Sequence, residues 1–371
     1  MQPAPPKTLS RRATYMVALL GLAVVLFYLR DGLSYLLSGK NDYLQLYAGA
    51  RLVHSSNLYD PRQVKQVQME SAGFFGERLE YNRLPFYAAA LWPLSRLPYV
   101  PSYVAWQSLS LGALVGFVLM WRIPSREAAL MACCWSAPLL LGIAHGQDLT
   151  FLLLILAGAL RIYPERLFAG GALLSLCAIK FHFFLLLPLV MAGQKQWRML
   201  WGFLAGGALL TVLSFAAAGF DWPYRYVEML GKSADPEQQM MPNFHGLFLG
   251  VPNQHALELL FGLATVGAVW WIARRTDLAY GLAAALVGGL LISYHAYPQD
   301  CTLLVPALLV VFSRSSDWRL NYLCIALFTP WPYLVLIQDD PLKVVRLAIA
   351  VLLVGMLVQC RRGGPQWAAA A

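Results

Sequence analysis

Charged residues are scarce in this chain. Asp, Glu, Lys and Arg together make up 13% of its 371 residues, against 59% that are hydrophobic. Too few polar side chains remain to cover a soluble globule of this size, which excludes a water-soluble enzyme or binding module. Phosphate-loop and dinucleotide-binding glycine patterns are missing, and no cluster of metal ligands occurs, so neither a cofactor nor a metal centre is implied. Of the six cysteines, none forms a Cys-x-x-Cys pair. Cys133, Cys134, Cys177 and Cys324 lie inside apolar runs and read as packing residues, implying no disulfide.

What is present is apolar sequence in membrane-sized pieces, with a mean hydropathy of +0.56. Ala13–Leu29, Val100–Trp121, Trp201–Phe220, Leu257–Ile272, Leu278–Ile292 and Val344–Val358 approach the roughly 20 residues that cross a bilayer as helix. All crossings should be helical, because backbone amides in lipid must bond within their own segment. The fold class is therefore all-α and polytopic, with about ten to twelve transmembrane helices by hydropathy. Residues 13–362 read as one transmembrane domain between cytoplasmic tails at 1–12 and 363–371.

The net charge of +9 does not indicate nucleic acid. The basic residues sit at the ends of apolar runs: Lys7, Arg11 and Arg12, Lys195 and Arg198, Arg274 and Arg275, Arg314 and Arg319, Arg361 and Arg362. These mark cytoplasmic ends. Ser10-Arg11-Arg12 has the look of a twin-arginine export signal, yet no small-residue cleavage site follows and the first helix reads as uncleaved.

The acidic and mixed loops then fall on the outer face: about 40–84, about 221–253, the turn Tyr294–Asp300 and the turn Gln338–Leu342. Leu167–Gly193, flanked by basic residues on both sides, should be a hairpin with arms too short to cross and its apex at Lys180-Phe181-His182. Leu140–Arg161 should bend near His145-Gly146-Gln147-Asp148. Phe86–Leu94 reads equally as a short crossing or a re-entrant segment. Interrupted helices of this kind surround protein-lined cavities.

In the first outer loop, Tyr43, Tyr47 and Ala50 share one helical face, with Arg51 one turn beyond Tyr47. Asn57-Leu58-Tyr59-Asp60-Pro61 should break that helix, and Val64–Ala72 can form a second, amphipathic one on the membrane surface.

Asn41-Asp42-Tyr43, Tyr47-Ala48-Gly49-Ala50-Arg51, Asn57-Leu58-Tyr59-Asp60, Tyr81-Asn82-Arg83-Leu84-Pro85-Phe86, Trp92-Pro93-Leu94 and Trp106 together resemble glycosyltransferase family 87. Gly146-Gln147-Asp148, Ala178-Ile179-Lys180-Phe181-His182 with Leu187-Pro188, Pro242-Asn243-Phe244-His245-Gly246-Leu247 and Ser293-Tyr294-His295 with Asp300-Cys301-Thr302-Leu303-Leu304 follow in the same order. The resemblance spans about residues 14–315. It implies a GT-C fold and an integral membrane enzyme using polyprenyl-phosphate sugars, a family that includes α-1,2-mannosyltransferases. Its shared first-loop aspartate matches Asp42. One departure is Gln299, where many relatives carry histidine; another is the absence of the Trp-Asp-His form of the mannosyltransferase branch.

The chemistry is consistent with that resemblance. A phosphate monoester, with a second pKa of about 6, leaves without a strong acid once its charge is stabilised. The incoming hydroxyl needs a base, and one carboxylate suffices for an inverting displacement, whereas a glycosidase normally uses two. Asp42 is the candidate base, with His295 and Asp300 assisting or positioning the acceptor. Arg83, Lys180, His182, His245 and His295 are candidates to hold the leaving phosphate, and Tyr47, Arg51, Gln147 and Asn243 complete the expected substrate site. Tyr43, Tyr47, Tyr59, Tyr81 and Trp222 would suit stacking on sugar rings. A lysine within the membrane costs about 2.5–3.5 kcal/mol at a helix centre, so Lys180 should face the cavity.

Each residue has a plainer reading. Asp42 could solvate one helix end or cap the next, Lys180 could snorkel to headgroups, and His245, His295 and Asp300 could be ordinary loop residues. Gln147 and Asp148 could tie helices together, and the tyrosines could form an interfacial belt. As a whole, the chain reads as an enzyme of a bacterial inner membrane that moves a hexose such as mannose from polyprenyl phosphate to a lipid or glycan acceptor at the outer face. The alternative is a flippase for lipid-linked sugar or a secondary transporter, for which a repeat between halves would be the signature; none is visible. The expected partners are the donor, the acceptor and membrane lipids.

Overall fold

The computed structural model describes residues 11–76, 79–232, 237–335 and 342–362. It is 78% helical and contains no strand among the described residues, as expected for an all-α polytopic membrane protein. The tails at 1–10 and 363–371, and most of the turn Gln338–Leu342, lie outside the described residues.

Five described helices are long and apolar enough to cross a membrane: Arg11–Tyr28, Tyr99–Met120, Trp197–Ala218, Gln254–Ala273 and the stretch Val344–Arg361. The bent pair Arg126–Trp135 and Ala137–Ala144 makes a sixth if counted as one span. Other apolar runs fold as shorter helices, among them Leu149–Ile162 and Leu278–Ile292. A count from hydropathy alone therefore includes segments too short to cross by themselves. Leu278–Ile292 has 15 residues and is buried from Leu278 to Leu291, so it forms an inner pillar instead of a lipid-facing span. The run at 319–336 divides into Trp318–Phe328 and Trp331–Val335 around Pro330, whose ring is incompatible with a continuous helix.

Both interruptions expected from sequence are present. The hairpin consists of Leu167–Ser175, a 3-10 segment Leu176–Phe183 and Leu187–Gly193. Lys180 stands at its apex in a non-helical conformation. The bend separates Ala137–Ala144 from Leu149–Ile162. Pro85–Ser95, with 11 residues, reaches about 16 Å and cannot cross.

The first long loop is less superficial than its sequence suggests. In its helix Tyr43–Leu52 every residue from Tyr43 to Ala50 is buried, not one face alone. The helix lies in an aromatic layer where Tyr43 meets Trp106 at 5.2 Å and Tyr103 at 5.8 Å between ring centroids. The second helix, Pro61–Ala72, starts where Asp60 accepts from Arg62 N and Pro61 occupies the first turn, and it buries Val64 and Gln68. The buried apolar side chains form two clusters among the described residues. One is built around Leu278–Leu291 and Leu303–Val311, the other around this aromatic layer, and Ile179 at the hairpin apex packs against both.

Small residues let the hairpin approach its neighbour. A Cβ on Gly202 would stand 2.0 Å from the Phe168 carbonyl oxygen, and one on Gly171 would stand 1.8 Å from that of Met199. This is the close backbone contact on which helices in lipid rely. Gly202→Ala should therefore cost about 1–3 kcal/mol through overpacking and lower the melting temperature in detergent. Gly207→Ala, on the same helix with nothing within 4 Å of its Cβ position, should be neutral or stabilising by up to about 1 kcal/mol. Equal melting of the two variants would contradict this packing.

Candidate active site

The loop that carries Asp42 docks onto the bend at His145–Asp148. The Asn41 side-chain amide donates to Tyr103 Oη and the Ala144 carbonyl, both at 3.0 Å, and to the Tyr35 carbonyl at 3.1 Å. Asp42 N donates to the His145 carbonyl at 3.0 Å. On the other side of the bend, Trp106 Nε1 donates to the Gly146 carbonyl at 2.9 Å. Gly146 has φ +68°, and a Cβ there would lie 2.7 Å from Asn41 Oδ1. Only glycine fits a left-handed turn under so close a lid.

That docking sets Gln147 against Asp42, with Gln147 Nε2 donating to the Asp42 carboxylate. Asp42 precedes the helix Tyr43–Leu52, but its side chain makes no capping bond, so the carboxylate is not spent on the helix end. It remains half-buried. Burial pushes its pKa above the ordinary 3.8, while His145, the Gln147 hydrogen bond, Lys180 and Arg83 pull the other way.

Beside Asp42 runs a chain of alternating charges. Arg83 Nε pairs with Asp148 Oδ2 at 3.0 Å, Lys180 Nζ lies 3.7 Å from Asp148 Oδ1, and Lys180 Nζ pairs with Asp300 Oδ1 at 2.6 Å. All four side chains are at most 7% exposed. The outer ends are pinned by backbone: Tyr59 Oη donates to the Arg83 carbonyl at 2.9 Å, and Tyr297 N donates to Asp300 Oδ2 at 2.9 Å. Lys180 thus faces protein, not headgroups. Buried cations at this depth persist because each has a carboxylate partner. His182 and His295 lie within electrostatic reach of Asp300, Lys180 and Arg83. Burial lowers the His295 pKa to about 4, so His295 is a neutral imidazole near pH 7 and acts as a donor or acceptor, not as a cation.

Asp42, Arg83, Gln147, Lys180, His182, His295 and Asp300 therefore gather in one place. Other candidates stand elsewhere. Tyr47 donates to the Leu97 carbonyl at 2.9 Å inside the aromatic layer, and Arg51 is exposed, reaching Tyr47 Oη at 3.5 Å. Asn243 caps the short helix Phe244–Leu247, accepting from Gly246 N at 3.0 Å, and donates to the Ser293 carbonyl at 2.7 Å. His245 is buried, with Nδ1 2.9 Å from Glu258. Asn243 ties this segment to the base of the turn that carries His295, and His245 ties it to the helix Gln254–Ala273.

The residue underrated by sequence reasoning is Asp148. It lies at the centre of the charge chain and is fully buried. Its signal was an acidic residue next to the break in an apolar run. No group of three His, Cys, Asp or Glu among the described residues could hold a metal ion, and Asp148 and Asp300 are both engaged by cations.

The family model for glycosyltransferase family 87 matches residues 85–298, more than half of the chain. The chain belongs to glycosyltransferase family 87. It is a multi-pass membrane glycosyltransferase. No curated protein and no solved structure matches it. The family match contains Gln147, Asp148, Lys180, His182 and His295, while Asp42 and Arg83 precede it and Asp300 follows it.

Asp148→Asn would leave two buried cations with one carboxylate between them. Breaking a buried pair in this way costs about 3–5 kcal/mol, so the variant should melt well below wild type in detergent. An unchanged melting temperature would show that the chain of charges does not hold this part of the protein together.

Proposed function

We propose that this family 87 glycosyltransferase moves a hexose, with mannose the first donor to test, from a polyprenyl-phosphate sugar to a lipid or glycan hydroxyl. The reaction takes place at the outer face of a bacterial inner membrane and inverts the anomeric centre. The observation that carries the reading is the placement of one uncommitted carboxylate, Asp42, held by Gln147 beside the buried Arg83–Asp148–Lys180–Asp300 chain. A base and an anion-stabilising group are the two things this transfer requires.

The acceptor hydroxyl attacks the anomeric carbon and passes its proton to Asp42. The bond from that carbon to the phosphate oxygen breaks on the opposite face, and its electron pair stays with the leaving polyprenyl phosphate. Burial makes Asp42 a better proton acceptor than an exposed aspartate, because desolvation disfavours its charged form. Gln147 keeps the carboxylate oriented. Negative charge developing on the leaving phosphate falls near Arg83 and Lys180, whose positions are already fixed, so little reorganisation is needed during the reaction. Asp300 orients Lys180, and His182 and the neutral His295 add polar contacts.

Two outcomes follow from the role of Asp42. Asp42→Asn should reduce transfer of labelled sugar by about 10²–10⁴-fold with little change in melting temperature, since the carboxylate makes no capping bond. Full activity in that variant would remove Asp42 from the chemistry. The pH profile carries a sign: the base works only when ionised and its pKa is raised above 3.8. The acid limb of kcat/KM should therefore climb with rising pH, with a midpoint above that of an ordinary carboxylate. A midpoint at or below 3.8 would contradict the burial argument.

A further inference from the structure

The aromatic layer around the first loop contains one tyrosine unlike the rest. Tyr47, Tyr59, Tyr81 and Tyr103 donate their hydroxyls to carbonyls at 2.9, 2.9, 3.1 and 2.8 Å. Tyr43 pairs with Ser102 at 2.5 Å, and Tyr99 donates to Gly39. Tyr87 Oη is buried and has no hydrogen-bond partner among the described residues. Its side chain is 6% exposed. It stands in the first turn of Pro85–Ser95, just after Arg83, where Phe86 N is tied to Ser214 Oγ at 3.2 Å. Arg83 and Asp148 are among the charges that act on it.

Burying a hydroxyl without a partner costs about 1–3 kcal/mol, and phenylalanine would fill the same space without that cost. A residue kept only for packing has no reason to be tyrosine here. Two other buried polar atoms near the charge chain, Gln147 Oε1 and His182 Nε2, also have no partner among the described residues. Buried polar atoms without a partner occur elsewhere among the described residues too, Gln45 Oε1 and Asn321 Oδ1 for example, but the three beside the ion-pair chain stand where a ligand's polar atoms would complete them.

The charge balance suggests which part of the ligand. Arg83 and Lys180 are already matched by Asp148 and Asp300, so an arriving phosphate meets a neutral set and needs donors that bring no further charge. A phenol is such a donor, and its bond to an anionic oxygen is stronger than one between neutral groups.

We infer that Tyr87 is a further substrate-contacting residue whose hydroxyl donates to a phosphate oxygen of the lipid-linked donor beside Arg83. This rests on the donor class proposed above.

The test is binding of polyprenyl phosphate, the released product, to full-length protein in nanodiscs, with melting followed on the same samples. Wild type should bind. Tyr87→Phe should lose about 10- to 100-fold in affinity, the range for a hydrogen bond to a charged group, and melt at the same temperature or higher. The control is Tyr280→Phe, whose hydroxyl donates to Gln359 at 2.9 Å at the opposite end of Leu278–Ile292 from the site. It should melt lower and keep its affinity. Wild-type affinity in Tyr87→Phe would overturn the inference and leave the donor reading standing. Lost affinity together with lowered melting would also overturn it, by marking a structural role. Failure of wild type to bind would overturn the donor reading and this inference with it.

Discussion

Asp148 stands between two buried cations, and the site depends on that arrangement. Arg83 comes from the end of the first long loop, Lys180 from the apex of a hairpin too short to cross the membrane, and Asp300 from the turn that begins Pro298–Leu303. None of these segments could bury its charge alone, since an unpaired ion in such surroundings costs several kcal/mol. Paired through Asp148 they can, and the pairing draws together parts of the chain more than 200 residues apart.

The same four-residue bend that supplies Asp148 also supplies Gln147. One side of it fixes the cations and the other fixes Asp42, so the spacing of Asp42 from Arg83 and Lys180 is set by a single turn. Gly146 makes the turn possible, and Asn41, packed against it, locks the first loop in place. In the proposed mechanism this is preorganisation: the groups that meet the developing charges are fixed before the reaction begins.

Much of this was legible beforehand because membranes impose few solutions. Most of the long apolar runs became long helices, basic residues on both sides of Leu167–Gly193 announced a hairpin, and a polar Gly-Gln-Asp run inside apolar sequence announced a bend. Depth was harder to read. Periodicity assigns Tyr43, Tyr47 and Ala50 to one face, but the helix Tyr43–Leu52 is buried on nearly every side. Tyr47 therefore became core and Arg51 a surface residue. Asp148 looked no different from a helix tie until its two cationic partners were in view. Periodicity also cannot tell which tyrosine leaves its hydroxyl without a partner among the described residues, and this is what separates Tyr87 from its neighbours.

The central claim is that Asp42 and the Arg83–Asp148–Lys180–Asp300 chain form one site for a sugar linked through phosphate to a lipid. The most direct measurement is a cryo-electron microscopy structure of the protein in a nanodisc with a non-transferable polyprenyl-phosphonate sugar. The account predicts the phosphonate beside Arg83 and Lys180 and the anomeric carbon facing Asp42, with room between them for an acceptor hydroxyl. A head group bound away from these residues, or with its anomeric carbon turned from Asp42, would contradict it.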